Sequence, residues 1–136
     1  MTGFSKSRYV IVYMLAVAAL MAASLVVPIP SGLPTVLPCM LASMIEGQKI
    51  AKATGQPIAK PDAWRIARVQ TALVIAVNLC MMAAFFGVLS EVLSIVPIWF
   101  FIMIFAILMV IVFLANRFFL TMGANAVLKA EARSTK

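Results

Sequence analysis

The chain has no histidine, only two cysteines and only four acidic residues among its 136 residues. The lack of histidine removes both the usual general base and the commonest metal ligand. The two thiols, Cys39 and Cys80, lie far apart in apolar stretches, and two cysteines alone cannot complete a zinc site of three or four ligands. We therefore expect no metal centre, and we interpret both cysteines as small apolar packing residues.

Catalytic signatures are equally scarce. The carboxylates left as candidate bases stand at the ends of apolar stretches, and none is paired with a plausible serine nucleophile; they are Glu46, Asp62, Glu91 and Glu131. The six glycines are scattered, whereas a phosphate-binding loop needs them clustered before a helix. We therefore predict no enzyme activity, no catalytic residues and no cofactor.

Charge is also sparse, and its distribution is informative. Only 11% of the residues are charged and 65% are hydrophobic, against about 25% charged in ordinary soluble domains. The net charge of +7 would suit nucleic acid, but the charges lie at the ends of the apolar stretches. There a basic residue meets anionic lipid headgroups, each worth about 1 kcal/mol. We expect the partner to be a lipid bilayer with anionic headgroups, and no nucleic acid.

The apolar stretches have membrane length. The first runs from Tyr9 to Val27 without a charge, and nineteen helical residues span roughly 28 Å, close to the hydrocarbon thickness. A cleaved signal peptide is the alternative, but the run is long for one. The sequence predicts an all-α membrane protein, a single domain over 1–136, with four transmembrane helices in two hairpins. Their predicted positions are about 8–27, 32–53, 61–89 and 95–120.

Local features refine these four helices. Pro38 should kink the second one, which makes it either a tilted helix with a proline-rich entry or a broken helix that lines a cavity. Alanines recur every three or four residues in the first helix, a pattern that permits close helix approach. We expect outer turns around 28–32 and 90–94, a fourth helix that is apolar on all sides, and a cytoplasmic tail at 117–136 that is amphipathic or frayed.

The distribution of lysine and arginine predicts the orientation. Two precede the first helix, five lie in the connector at about 49–68, four follow the fourth helix, and neither outer turn has one. The positive-inside rule then places both termini and the connector in the cytoplasm. So one-sided a bias argues against the dual topology of small multidrug exporters.

A few polar residues near or inside the hydrocarbon are candidates for either function or packing: Glu46, Asn78, Gln70 and Ser43. A lone carboxylate so close to hydrocarbon is costly, so we predict that Glu46 pairs with a cation of its own chain, preferably Lys49 or Arg65, with Arg8 also possible. Asn78 should bond another helix. Contact with anionic lipid or a partner is predicted for Lys49, Lys52, Lys60, Trp64, Arg65 and Arg68.

Short motifs carry a resemblance to a known family. They are the outer turn with Pro28, Pro30, Ser31 and Gly32, the pair Gly47-Gln48, and the run Pro61-Asp62-Ala63-Trp64-Arg65. With them the chain resembles a family of small uncharacterised bacterial inner-membrane proteins with four transmembrane helices. The resemblance implies a bacterial inner-membrane location and the same topology, and it implies no activity.

Three functions are compatible with these features. The first is a non-catalytic accessory or assembly subunit of a larger membrane complex, with a protein partner at the small-residue face of the first helix and at Asn78. The second is a small channel or transporter, a parallel homo-oligomer with Thr35, Ser43, Glu46 and Asn78 along its path. The third and weakest is a phage-type lesion protein.

Overall fold

The computed structural model describes residues 4–26 and 33–134, without the side chains of 33–35, 88–89, 92–93 and 95. This part of the chain is all-helical, which confirms the all-α part of the predicted fold. Its five helices are α1 (Lys6–Ser24), α2 (Leu33–Thr54), α3 (Lys60–Ala84), α4 (Phe86–Ile95) and α5 (Ile98–Ser134). The proline-rich turn expected at 28–32 lies outside the described residues.

The helix ends follow local chemistry. Ser5 caps α1 by accepting a hydrogen bond from the backbone N–H of Arg8, and such caps satisfy donors that have no partner within the helix. Gly55, with φ of 64°, follows the end of α2 in the left-handed conformation that glycine tolerates. As the sequence predicted, α3 begins with Pro61 and Asp62 in its first turn.

The second outer turn differs from the prediction. Residues 90–94 belong to α4, which follows α3 after a single break at Phe85. The hydroxyls of Ser90 and Ser94 donate to the carbonyls three residues before them, at 2.7 and 2.6 Å. Serines that bond their own helix backbone do not end it, so the chain stays helical until Pro97.

The four long helices form a bundle. Going around it, the neighbours in contact are α1 with α2, α2 with α5, α5 with α3, and α3 with α1, while α4 contacts α3. Thus α1 lies diagonally opposite α5, and α2 lies opposite α3. Three of the helices, α1, α3 and α5, are long and apolar enough to cross a membrane.

The closest contact in the bundle joins α2 to α5 through two glycines. A Cβ placed on Gly47 would overlap the backbone carbonyl of Leu120, and one on Gly123 would overlap the backbone carbonyl of Met44. The two backbones therefore touch where no side chain intervenes, the arrangement that small residues permit in membrane bundles. In the sequence, Gly47 belongs to a motif of the family resemblance and Gly123 is one of six scattered glycines, and neither pattern predicts this contact.

The bundle has two apolar cores. The larger includes Tyr13, Cys39, Val74 and Val112, and the smaller, beside the connector, comprises Ile50, Ala63, Ile66 and Leu120. The burial of Cys39 agrees with a packing role. Cys80, in contrast, is exposed, so its predicted packing role is wrong; it lies on a face of α3 that no other described helix covers.

Helix α5 has an exposed apolar face and, in its C-terminal half, a few buried residues. Many of its large apolar side chains are exposed, as the sequence predicted, among them Ile98, Trp99, Ile102, Ile107, Val110 and Phe118. The segment expected to be an amphipathic or frayed tail instead continues the helix to Ser134. Leu120 and Ala124 within it are fully buried because the glycine contact holds this part of α5 against α2.

Candidate functional site

Five buried polar side chains meet inside the bundle and form one network. They come from all four long helices and are at most 8% exposed: Tyr9 from α1, Ser43 from α2, Gln70 and Thr71 from α3, and Asn116 from α5. Buried polar groups are costly unless they find hydrogen-bond partners. The partners in this network lie mostly on different helices, so the bonds that satisfy these groups also join the bundle.

Asn116 is the centre of the polar network. Its Oδ1 accepts a hydrogen bond from the Tyr9 hydroxyl at 3.1 Å and one from Ser43 Oγ at 2.7 Å. Its Nδ2 donates to Thr71 Oγ1 at 3.2 Å. One amide therefore links α5 to each of the other three long helices, and its removal would leave several buried groups without partners.

Gln70 completes the polar network through Ser43. Ser43 Oγ lies 3.2 Å from Gln70 Oε1, but its single hydroxyl hydrogen already serves the shorter bond to Asn116. Gln70 Nε2 is buried and has no partner among the described residues. Turning the Gln70 amide by 180° lets Nε2 donate to Ser43 Oγ. Gln70 then donates to Ser43, and Ser43 donates to Asn116.

An ion pair lies directly beside the polar network. Arg8 Nε and Nη2 donate to the two carboxylate oxygens of Glu46 at 2.5 and 2.8 Å, a bidentate pair between α1 and α2. The Glu46 carboxylate is buried, whereas the Arg8 side chain is 32% exposed. The prediction of an ion pair within the chain is confirmed. The preferred partners Lys49 and Arg65 were wrong, because Arg8 engages Glu46 and both of the other cations are exposed.

A third polar contact lies one helical turn deeper. Asn78 Nδ2 donates to the hydroxyl of Tyr13 at 3.2 Å and to the carbonyl of Val74 at 2.8 Å. Tyr13 follows Tyr9 by four residues, and Asn78 follows Val74 by four, so both positions continue the inward faces of α1 and α3. Asn78 thus bonds another helix, as expected, but that helix belongs to its own chain.

The polar residues therefore occupy three successive levels of the bundle. The first is the Arg8–Glu46 pair, the second is the polar network around Asn116, and the third is the Tyr13–Asn78 contact. Glu46 lies one turn from Ser43 on α2, and Arg8 adjoins Tyr9 on α1. The Arg8–Glu46 pair thus lies between the smaller apolar core and the polar network, and the larger apolar core includes Tyr13 of the third level.

Sequence reasoning identified part of this site. It selected Ser43, Gln70, Glu46 and Asn78 as polar residues of interest, and all four take part. It missed both tyrosines, Thr71 and Asn116, and the structure buries Asn116 completely. The available signal was the spacing of Tyr9 and Tyr13, whose hydroxyls need partners once buried.

The basic candidates lie elsewhere. The five predicted lysines and arginines are all exposed and lie outside the polar network: Lys49, Lys52, Lys60, Arg65 and Arg68. Trp64 is 38% exposed and packs beneath the guanidinium of Arg117, whose carbon lies 4.0 Å from the ring centroid. These residues are therefore available to groups outside the chain.

The chemistry open to the polar network is hydrogen bonding. The hydroxyls of Tyr9 and Ser43 both donate to an amide oxygen, which is not a base that could activate a nucleophile. Comparison with protein-family models, with curated proteins and with solved structures gives no match for this chain.

Proposed function

We propose that the protein is a small non-catalytic membrane protein with four transmembrane helices that serves as an accessory or assembly subunit of a larger membrane complex. The location we propose is a bacterial inner membrane, with both termini and the connector in the cytoplasm. Three candidate spans support part of this topology. The fourth span, the orientation and the subunit role are inferences from the contacts below.

The contacts of α2 support it as the fourth span. Its mean hydropathy is lowered by polar residues, but Ser43 and Glu46 are fully buried and would not meet lipid. Polar residues within membrane helices face the bundle interior in this way. Its 22 residues make a helix of about 33 Å, of which roughly 20 Å, from Leu33 to Glu46, lies on the outer side of the charges described next.

The level of the charges supports the position of the membrane surface. Each long helix carries a charge within three residues of the polar network: Arg8 on α1, Glu46 on α2, Arg68 on α3 and Arg117 on α5. Because the network residues contact one another, these four charges lie near a common level. That level fits the inner headgroup region, with the smaller core and the connector on its cytoplasmic side.

The observation that carries the subunit role is an uncovered alanine face. On the outer half of α1, alanines are exposed, whereas Tyr9, Tyr13 and Val17 of the inner half are buried. The exposed ones are Ala18, Ala19, Ala22 and Ala23. Small residues give lipid little to pack against but allow a second helix to come close. We therefore assign the partner contact to this face. Asn78 is no longer assigned to it, because its amide already bonds Tyr13 of the same chain.

Affinity purification from native membranes in mild detergent, followed by mass spectrometry, tests the subunit role. Ala19→Leu should lose a partner that the wild-type protein retains, because the added side chain holds the other helix away. Ala76→Leu is the matched control, since Ala76 is exposed on α3. Recovery of the protein alone, or equal recovery of partners with both variants, would contradict the proposal.

The channel or transporter alternative is less well supported. Of the residues assigned to its path, Ser43 and Glu46 are bonded within one chain, and the Thr35 side chain lies outside the described ones. A path between copies would have to break these bonds. Liposome flux tests it: wild-type vesicles as tight as those with Glu46→Gln or Asn78→Leu would remove it. The lesion-protein hypothesis would be excluded if inducible expression of the protein caused no lysis of the host.

A further inference from the structure

Arg117 has an unusual set of neighbours. Its guanidinium stacks on Trp64 at 4.0 Å, and Trp64 packs against Phe113 with ring centroids 5.4 Å apart. Its Nε is buried and makes no hydrogen bond. Neither does any other atom of this guanidinium form an ion pair or hydrogen bond with a described residue. One face of the cation thus lies on an aromatic ring, while its buried Nε has no acceptor among the described residues.

Those donors need an acceptor that the described chain does not supply. A buried donor without a partner costs about 1–3 kcal/mol, and the nearest buried carboxylate, Glu46, is engaged by Arg8. A second cation lies close by, because Arg68 follows Trp64 by one turn on the same face of α3 and is exposed. Neither guanidinium, that of Arg68 or that of Arg117, pairs with a carboxylate of the described residues. We therefore expect an anion from another molecule to bind beside this aromatic surface.

We propose that the groove between α3 and α5 at Trp64, Arg68, Phe113 and Arg117 binds the phosphate of an anionic phospholipid of the inner leaflet. The Trp64 ring holds the Arg117 guanidinium flat, so that its edge presents two parallel donors to phosphate oxygens. Arg68 supplies the second charge. The site rests on the membrane position given under the proposed function, which sets Arg117 at headgroup level.

A lipid fits this groove better than a free phosphate ion does. Leu114 and Phe118 on α5 flank the site in sequence and are 51% and 62% exposed. Such apolar side chains next to a basic cluster match a molecule that has both an anionic headgroup and acyl chains. Inorganic phosphate has only the first.

The test is a lipid titration of the purified protein in neutral detergent, followed by thermal unfolding and by native mass spectrometry. Phosphatidylglycerol should stabilise the wild-type protein and phosphatidylcholine should not. Arg117→Gln should weaken phosphatidylglycerol binding by about fivefold to tenfold, as expected for the loss of one basic contact. Arg68→Gln should weaken it similarly, whereas Arg117→Lys should retain part of it.

Lys129→Gln is the matched control, because it removes one exposed charge from the same helix away from the groove. Equal weakening by Lys129→Gln would indicate diffuse attraction and overturn the site, as would unchanged binding by both arginine variants. Protection by inorganic phosphate alone, equal to that by the lipid, would also overturn it. The purified protein needs no partner here, so failure of the subunit role in the pull-down leaves this result unaffected.

Discussion

At the scale of single residues, the Arg8–Glu46 pair determines how the connector end of the bundle tolerates charge. A carboxylate at a wet interface would gain only about 0–1 kcal/mol from its partner. Glu46 is instead fully buried. Removing one member of a buried pair leaves an uncompensated charge, which is far more costly than losing a surface contact.

We therefore predict that Glu46→Gln lowers the stability of the folded protein by roughly 1–3 kcal/mol, less than the full cost of breaking a buried pair because Arg8 is partly exposed. The measurement is a double-mutant cycle of Arg8→Gln and Glu46→Gln, followed by thermal unfolding in detergent. The double variant should be more stable than the sum of the single losses implies. Lys49→Gln, at an exposed neighbouring position, should change little; equal effects of Lys49→Gln and Glu46→Gln would refute the pairing.

Asn116, which is fully buried, and Asn78, which is half-buried, should differ in the same kind of measurement. We expect Asn116→Leu to destabilise the protein by about 2–4 kcal/mol, since the hydroxyls of Tyr9, Ser43 and Thr71 all lose a partner. Asn78→Leu removes one interhelical bond and should cost only about 0.6–2 kcal/mol. Thermal unfolding of the two variants side by side gives the comparison. A larger loss for Asn78→Leu would mean that the network around Asn116 is not the main polar junction.

At the scale of helices, the α2–α5 contact was the feature least accessible to sequence reasoning. Hydropathy and charge predicted where helices lie, because those signals are local. The pairing of Gly47 with Leu120 and of Gly123 with Met44 joins positions more than seventy residues apart, and a lone glycine carries no sign of its partner. The same limit explains why Arg8, thirty-eight residues before Glu46, was not the preferred partner.

Glycine substitutions test this contact directly. Gly47→Ala and Gly123→Ala should each cost at least about 1–3 kcal/mol, the usual penalty of overpacking, because the obstructing atoms are backbone and cannot swing aside. Gly87→Ala should be neutral or slightly stabilising, since a Cβ there meets nothing within 4 Å and alanine is the better helix former. Melting temperatures in one detergent would give the order, and a tolerated Gly47→Ala would show that the two backbones do not touch.

At the scale of the whole molecule, the open question is whether α2 crosses the membrane. Mean hydropathy supports α1, α3 and α5 alone, because it averages inward-facing polar residues with the lipid-facing surface. Ser43 and Glu46 lower the mean hydropathy of α2, but both are buried and would not be exposed to lipid. If α2 did not cross, the connector with its five basic residues would lie on the same side as the first outer turn, against the positive-inside rule.

Cysteine labelling in intact cells separates the two topologies. A membrane-impermeant thiol reagent should label Ser94→Cys and Ser31→Cys from outside but not Thr54→Cys, with the wild-type protein as the control for its own two thiols. Thr54 and Ser94 are exposed, so lack of reaction at Thr54→Cys would reflect its side of the membrane and not burial. Permeabilised cells should then label Thr54→Cys fully. Labelling of Thr54→Cys from outside would mean that α2 folds back without crossing, because α1 would already have placed its start on the outer side.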